Sequence, residues 1–187
     1  MIRKLAVAAL GLGLLSAAPA YAFDAGRIPQ VAQGTMQAAF APWDDVESLI
    51  IDVIGGAKKQ IAMQAYLLTS KDIAQALIAA KKRGVDVAVL ADAEQLNKNE
   101  LSKVPELADA GIPVWLETKY LNAHNKVIII DQAMPEVAVV TGSYNFTWSA
   151  QHKNAENILI VRNNPQLAAQ YYANWVRHKQ DATPYKK

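Results

Sequence analysis

The sequence contains no cysteine. That excludes disulfides, a thiolate nucleophile and thiolate metal ligands, so the fold must be held by packing alone. Histidine is scarce as well: there are three, His124, His152 and His178, and no two have metal-ligand spacing. The expected chemistry therefore uses no metal and no other cofactor. Beyond residue 22 no apolar run is long enough to span a bilayer. Charge of one sign is also lacking. The first 22 residues carry Arg3 and Lys4 but no acid, which leaves 17 basic and 17 acidic side chains in the rest of the chain. A neutral chain can hold an anionic partner only through a local patch.

The first 22 residues read as a targeting segment. Arg3 and Lys4 precede an apolar stretch from Leu5 to Leu15, and Ala20-Tyr21-Ala22 is a small-x-small cleavage site. The expectation is a signal peptide over residues 1–22, one domain over residues 23–187, and a secreted or periplasmic protein with no stable membrane insertion after cleavage. The remaining length, about 165 residues, suits a single core, and no low-complexity tract divides it.

The rest of the chain alternates between strand and helix patterns. Strands are expected over Gln33 to Phe40, Gln60 to Tyr66, Val85 to Leu90 and Ile112 to Leu116. Helices are expected after Trp43-Asp44-Asp45, from the Ser70 cap to Arg83, and over Glu100 to Ala110 around Pro105. The pattern then changes. Lys126 to Asp131 and Val137 to Thr141 are apolar runs joined by Gln132-Ala133-Met134-Pro135-Glu136, a hairpin signal. A last strand over Asn157 to Val161 and a helix opened by Asn164-Pro165 follow. The fold class implied is α/β, an α/β/α sandwich on a mixed central sheet.

Strand parity gathers the candidate site. In "NAHNKVIIID", His124 and Lys126 face one side, whereas Asp131 has the opposite parity and sits where it can bond backbone. Ser143 and Asn145 share a side in "TGSYNFTWSA", as do Asn154 and Glu156 in "KNAEN". Lysine, asparagine and serine are donors suited to phosphate oxygens. A glutamate can accept a hydrogen bond from the Nδ1 proton of a histidine and fix the tautomer, leaving Nε2 as nucleophile. The set reads as covalent phosphoryl chemistry through histidine. Asp44, Asp45 and Glu47 read as first-turn partners of a helix dipole and not as a metal site. Phe146 and Trp148 read as packing residues.

"HNKVIIID" resembles the H-x-K-x4-D signature of the phospholipase D superfamily, and "GSYNFT" with "NAEN" is similar to the elements that follow it there. The likeness is greatest to the short, secreted, single-motif endonucleases of that superfamily. It implies His124 as nucleophile, Lys126 and Asn145 as phosphate ligands, Ser143 assisting and Glu156 orienting His124. Gly142, Asn154 and Asp131 would be structural neighbours. Ten residues separate Asp131 from Gly142, more than the family's usual spacing, and Met134-Pro135-Glu136 is expected to be a longer turn away from the chemistry. One motif per chain, where displacement at phosphorus needs groups on both sides, implies a C2 homodimer with two His124 side chains in one cleft. His152 is the alternative acid, expected in a loop, and His178 is expected at the surface. Two substrate classes stand: nucleic acid (DNA, with RNA also open), gripped further by Lys58, Lys59, Lys119 and Lys153, and a phospholipid or cardiolipin-like lipid, docked through Tyr120-Leu121.

Overall fold

The structure, a computed structural model, describes residue 29 and residues 31–186. The expected signal peptide lies outside the described residues. Fourteen elements follow in order: β1 Thr35–Ala41, α1 Val46–Gly55, β2 Gln60–Ala65, α2 Lys71–Lys82, β3 Asp86–Asp92, α3 Ala93–Lys98, α4 Val104–Asp109, β4 Val114–Glu117, β5 Lys126–Ile130, β6 Ala138–Gly142, α5 Trp148–His152, β7 Glu156–Arg162, α6 Pro165–Asp181 and β8 Thr183–Pro184.

The strands form one mixed sheet in the order β1-β7-β6-β5-β2-β3-β4-β8. β2, β3 and β4 run parallel, and the other pairings are antiparallel. β5 is buried along its whole length because both of its faces are covered. Ile128 and Ile130 join the core with α1 and α2, while Val127 and Ile129 join a second core with Ala168 and Trp175 of α6. That alternation is the period of two expected of a strand between helical layers. The fold is the α/β/α sandwich that the sequence implies.

Helix ends follow their caps. Ser70 accepts from the Ile73 amide and Asn164 from the Leu167 amide, with Pro165 in the first turn of α6. The helix expected over Glu100 to Ala110 is shorter, Val104–Asp109. An additional helix, α3, precedes it, started by Asp92 accepting from the Gln95 amide at 2.8 Å. None of the α3 residues is buried, so it writes no apolar period into the sequence.

Asp131 joins the sheet's far end. Its carboxylate accepts from the backbone amides of Lys58, Lys59 and Gln60 at 2.8, 2.7 and 2.8 Å. The residue is 2% exposed and adopts a positive φ of 52°, a conformation that Asp tolerates better than most residues. The turn that holds Met134-Pro135-Glu136 starts here, at the opposite end of β5 from Lys126. Replacing Asp131 with Ala would leave three amide donors without their charged acceptor. The expected loss is about 2–4 kcal/mol in folding free energy, read as a lower urea midpoint. Asp131→Asn should lose less, since it keeps one acceptor oxygen.

Candidate active site

The site lies where the end of β2, the starts of β5 and β7 and the end of β6 meet. Sheet register sets this: Ala65 pairs with Lys126, and Val127 with Thr141. Glu156 opens β7, paired with Ala41 of β1. The three segments picked out by parity therefore do converge on adjacent strands.

His124 precedes β5 and is exposed, while Lys126 is 5% exposed. Among the described residues the Lys126 ammonium touches no carboxylate. Nζ lies 2.8 Å from His124 Nδ1 and donates to the His124 carbonyl at 2.9 Å. It also stands 4.9 Å from the centre of the Tyr66 ring. Burial lowers its pKa to about 8, against the opposing pull of the Glu156 charge. His124 is shifted below the ordinary imidazole range, by burial first and by the Lys126 charge second, with Asp92 and Glu156 opposing.

β6 and β7 close tightly beside them. A Cβ on Gly142 would lie 2.2 Å from the Asn157 carbonyl oxygen, so only glycine allows this approach. The approach brings Ser143 to Glu156. Ser143 Oγ donates to Glu156 Oε2 at 2.5 Å and accepts from the Asn157 amide at 3.1 Å. Asn154 Nδ2 donates to Glu156 Oε1 at 3.0 Å. The side-chain Oδ1 of Asn145 is buried without a protein partner. Between Ser143 and Asn145, Tyr144 points into the core, and burial pushes its phenol pKa up.

Several details differ from the sequence reading. Glu156 bonds Ser143 and Asn154, and reaches the His124 of its own chain only through its field. Ser143 is correspondingly occupied by Glu156 and Asn157. Lys58 and Lys59 flank the Asp131 clamp at the opposite end of the sheet, so they cannot hold a strand at His124. His152 ends a short helix capped by Thr147 and is not in a loop. Phe146 packs in the core, but Trp148 is 55% exposed, with Lys153 over its ring at 5.2 Å. His178 is half-buried and bonds Glu117 at 2.5 Å, because the Glu117 carboxylate is buried beneath α6. Asp44 and Asp45 accept from the Phe40 and Ser48 amides, and Glu47 is bonded by Ser70, so each has a local role.

Two residues near the site escaped sequence reasoning. Tyr66 packs against His124 with ring centres 4.3 Å apart. Asp92 accepts from the Ala123 amide at 2.7 Å and so fixes the segment just before His124. The readable signal for Asp92 was its position as an N-cap after an apolar strand.

The family model described as "Cardiolipin synthase, PLD-like domain" matches residues 50–179. The chain belongs to the phospholipase D superfamily. It is 40% identical over 152 residues to a protein named Phospholipase D from Rickettsia typhi, covering 81% of this chain and 72% of that one. It is 27% identical over 124 residues to a mitochondrial cardiolipin hydrolase of Chlamydomonas reinhardtii, covering 66% of this chain and 53% of that protein. Among solved structures, Nuc from Salmonella typhimurium, a phospholipase D family member, matches with a TM-score of 0.77 and 36% identity, covering 83% of this chain and all of that one. As a member of the phospholipase D superfamily, the protein is a phosphodiesterase.

The geometry bears on how such a phospholipase D-type site is armed. While Lys126 is protonated, its contact with Nδ1 is a donation to that nitrogen. The neutral imidazole then carries its proton on Nε2. A phosphate oxygen that drew Nζ onto itself would let the single imidazole proton move, through solvent, from Nε2 to Nδ1. Such an exchange would need Lys126 charged and, in the copy that attacks, His124 neutral. With Lys126 shifted down to about 8, kcat/KM should fall above roughly pH 8 as the ammonium is lost. On the acid side it should fall only below the ordinary imidazole range. Whatever activity Lys126→Arg retains should lose the part of the basic limb near pH 8, because guanidinium does not titrate there.

Proposed function

We propose that the protein is an exported, metal-independent endonuclease that cleaves DNA, and RNA as a second substrate, at a site shared by two copies of the chain. The observation that carries this reading is the single His124 beside a buried, carboxylate-free Lys126. That pair suits one dianionic transition state and supplies only one of the two groups an in-line displacement requires. Resemblance to the short single-motif endonucleases of the superfamily supports a nucleic-acid substrate.

The reaction then runs as follows. Nε2 of one His124 attacks phosphorus and forms a phosphohistidine. The leaving oxygen takes a proton from the imidazolium of the second copy's His124. That imidazole, now neutral, removes a proton from water, whose oxygen displaces the histidine nitrogen from phosphorus. Lys126 and Asn145 hold the phosphoryl oxygens. Glu156, of either copy, accepts a hydrogen bond from Nδ1–H, and Ser143 with Asn154 fixes the carboxylate for that role. Lys153, over the exposed Trp148 ring, is the cation proposed to hold the flanking strand, whereas Lys119 is paired with Asp181 at 2.6 Å.

A second reading, a lipid phosphodiesterase, is favoured by one observation. Leu121 is 85% exposed and Tyr120 is 41% exposed, both just ahead of the motif. No helix among the described residues is long and apolar enough to cross a membrane, so lipid docking would fall to that loop.

Purified protein should be incubated with labelled single- and double-stranded DNA, RNA and cardiolipin vesicles, each in excess EDTA. Cleavage of nucleic acid with vesicles untouched is the expected result. Release of the lipid headgroup alone would select the second reading, and loss of all activity that a divalent ion restores would reject the mechanism. His124→Ala should be inactive, and Glu156→Gln slower by about 10- to 1,000-fold. Isolated heterodimers of wild type with His124→Ala should not complete turnover. Half the wild-type rate would show that each subunit works alone, with His152 as the acid.

A further inference from the structure

The contacts around Tyr66 form a set that the motif residues do not explain. Tyr66 follows β2 directly, and its amide donates to the Asn125 carbonyl at 3.0 Å. Its hydroxyl accepts from Gln95 Nε2 of α3 at 2.8 Å and donates to Asn122 Oδ1 at 3.1 Å. Its ring meets the His124 imidazole at 4.3 Å between centres, tilted by 56°, and lies 4.9 Å below the Lys126 ammonium. Tyr66 is only half-buried and belongs to neither hydrophobic core, so packing stability does not account for it.

We propose that Tyr66 is a positioning residue of the reaction: its ring is the wall that fixes the His124 imidazole plane and the face that supports positive charge on His124 and Lys126. The hydrogen bonds from Gln95 and to Asn122 hold the ring in that pose from two sides. A tyrosine ring face carries negative electrostatic potential and attracts a cation placed over it. Both proposed states of His124 need that support, because the imidazolium acid and the Nδ1-protonated phosphohistidine each carry ring charge. The groups that face His124 are otherwise Lys126 from β5, Asp92 from the end of β3 and Glu156 from β7. Lys126 opposes positive charge there and the two carboxylates favour it. Tyr66 is the neutral surface among them, in direct contact with the ring.

This inference rests on the proposed role of His124 for its kinetic arm and is independent of it for its titration arm. Tyr66→Phe keeps the ring and breaks the hydrogen-bond chain, whereas Tyr66→Leu removes the ring. The kinetic probe is bis(p-nitrophenyl) phosphate. The second readout is the NMR titration of the His124 ring protons without substrate, assigned by their absence in His124→Ala. Tyr66→Phe should keep kcat within about 3-fold and titrate like wild type. Tyr66→Leu should lower kcat by roughly 10- to 100-fold with KM within about 3-fold. Its His124 should titrate lower than in wild type, and the basic limb of kcat/KM should move down with Lys126. Tyr66→Met serves as a second ring-less variant if circular dichroism shows Tyr66→Leu unfolded. A wild-type titration and kcat in a folded ring-less variant would overturn the proposal. So would Tyr66→Phe matching the ring-less variant, which would assign the effect to the hydroxyl. If the wild type hydrolyses none of the ester, the titration alone decides.

Discussion

A buried ammonium without a carboxylate in contact is the constraint around which the site is arranged. Lys126 opens a strand whose two faces are covered by helical layers, so its charge is desolvated from below. A carboxylate placed against it would pair its charge and leave it unavailable to an anionic ligand. The fold supplies weaker neutral support instead: a carbonyl, an imidazole nitrogen and an aromatic face. Elsewhere the same sheet solves the inverse problem conventionally. Burial raises the pKa of Glu117, and the half-buried His178 bonds it directly. The contrast separates a charge kept available from a charge that has been paired.

The two halves of the sheet divide the work. The antiparallel strands β5, β6 and β7 present His124, Lys126, Ser143 and Glu156. The parallel strands β2 and β3 present no reacting group, but their ends hold the segment in front of His124. Tyr66 and Asp92 bind Asn122, Ala123 and Asn125 between them. Three successive anchor points on four residues leave the loop little freedom before the strand begins. In the role proposed for His124, such support would start the ring near its reactive geometry and lower the entropic cost of reaching it.

Much of this was legible in the sequence, because strands alternate their side chains. Parity alone grouped His124 with Lys126, Ser143 with Asn145 and Asn154 with Glu156, and it set Asp131 apart. The β5–β6 hairpin and the long turn between them were also readable from apolar runs and turn residues. What was not readable depended on contacts between segments distant in sequence. α3 buries no side chain and so leaves no periodic trace. β8 has two residues, too few for any pattern. The pairing of Glu117 with His178 spans 61 residues. Lys58 and Lys59 look like any other cations until the β2–β5 register places them at the far end of the sheet. Tyr66 reads as the last residue of a strand, and only its neighbours give it a role. For Glu156, residue type suggested a histidine partner, whereas local geometry gave it Ser143 and Asn154.

The motif that carries the family resemblance is also a measure of length. Lys126 stands at one end of β5 and Asp131 just beyond the other, with four residues between them, about 17 Å of extended chain. One end carries the unpaired ammonium and the other fastens the strand to the amides at the start of β2. The spacing between them is thus the width of the sheet, counted in residues. A single residue inserted between them would do more than lengthen the strand. With Asp131 fastened, it would turn Lys126 to the opposite face, toward α6, and leave His124 facing a layer where there is no chemistry to perform.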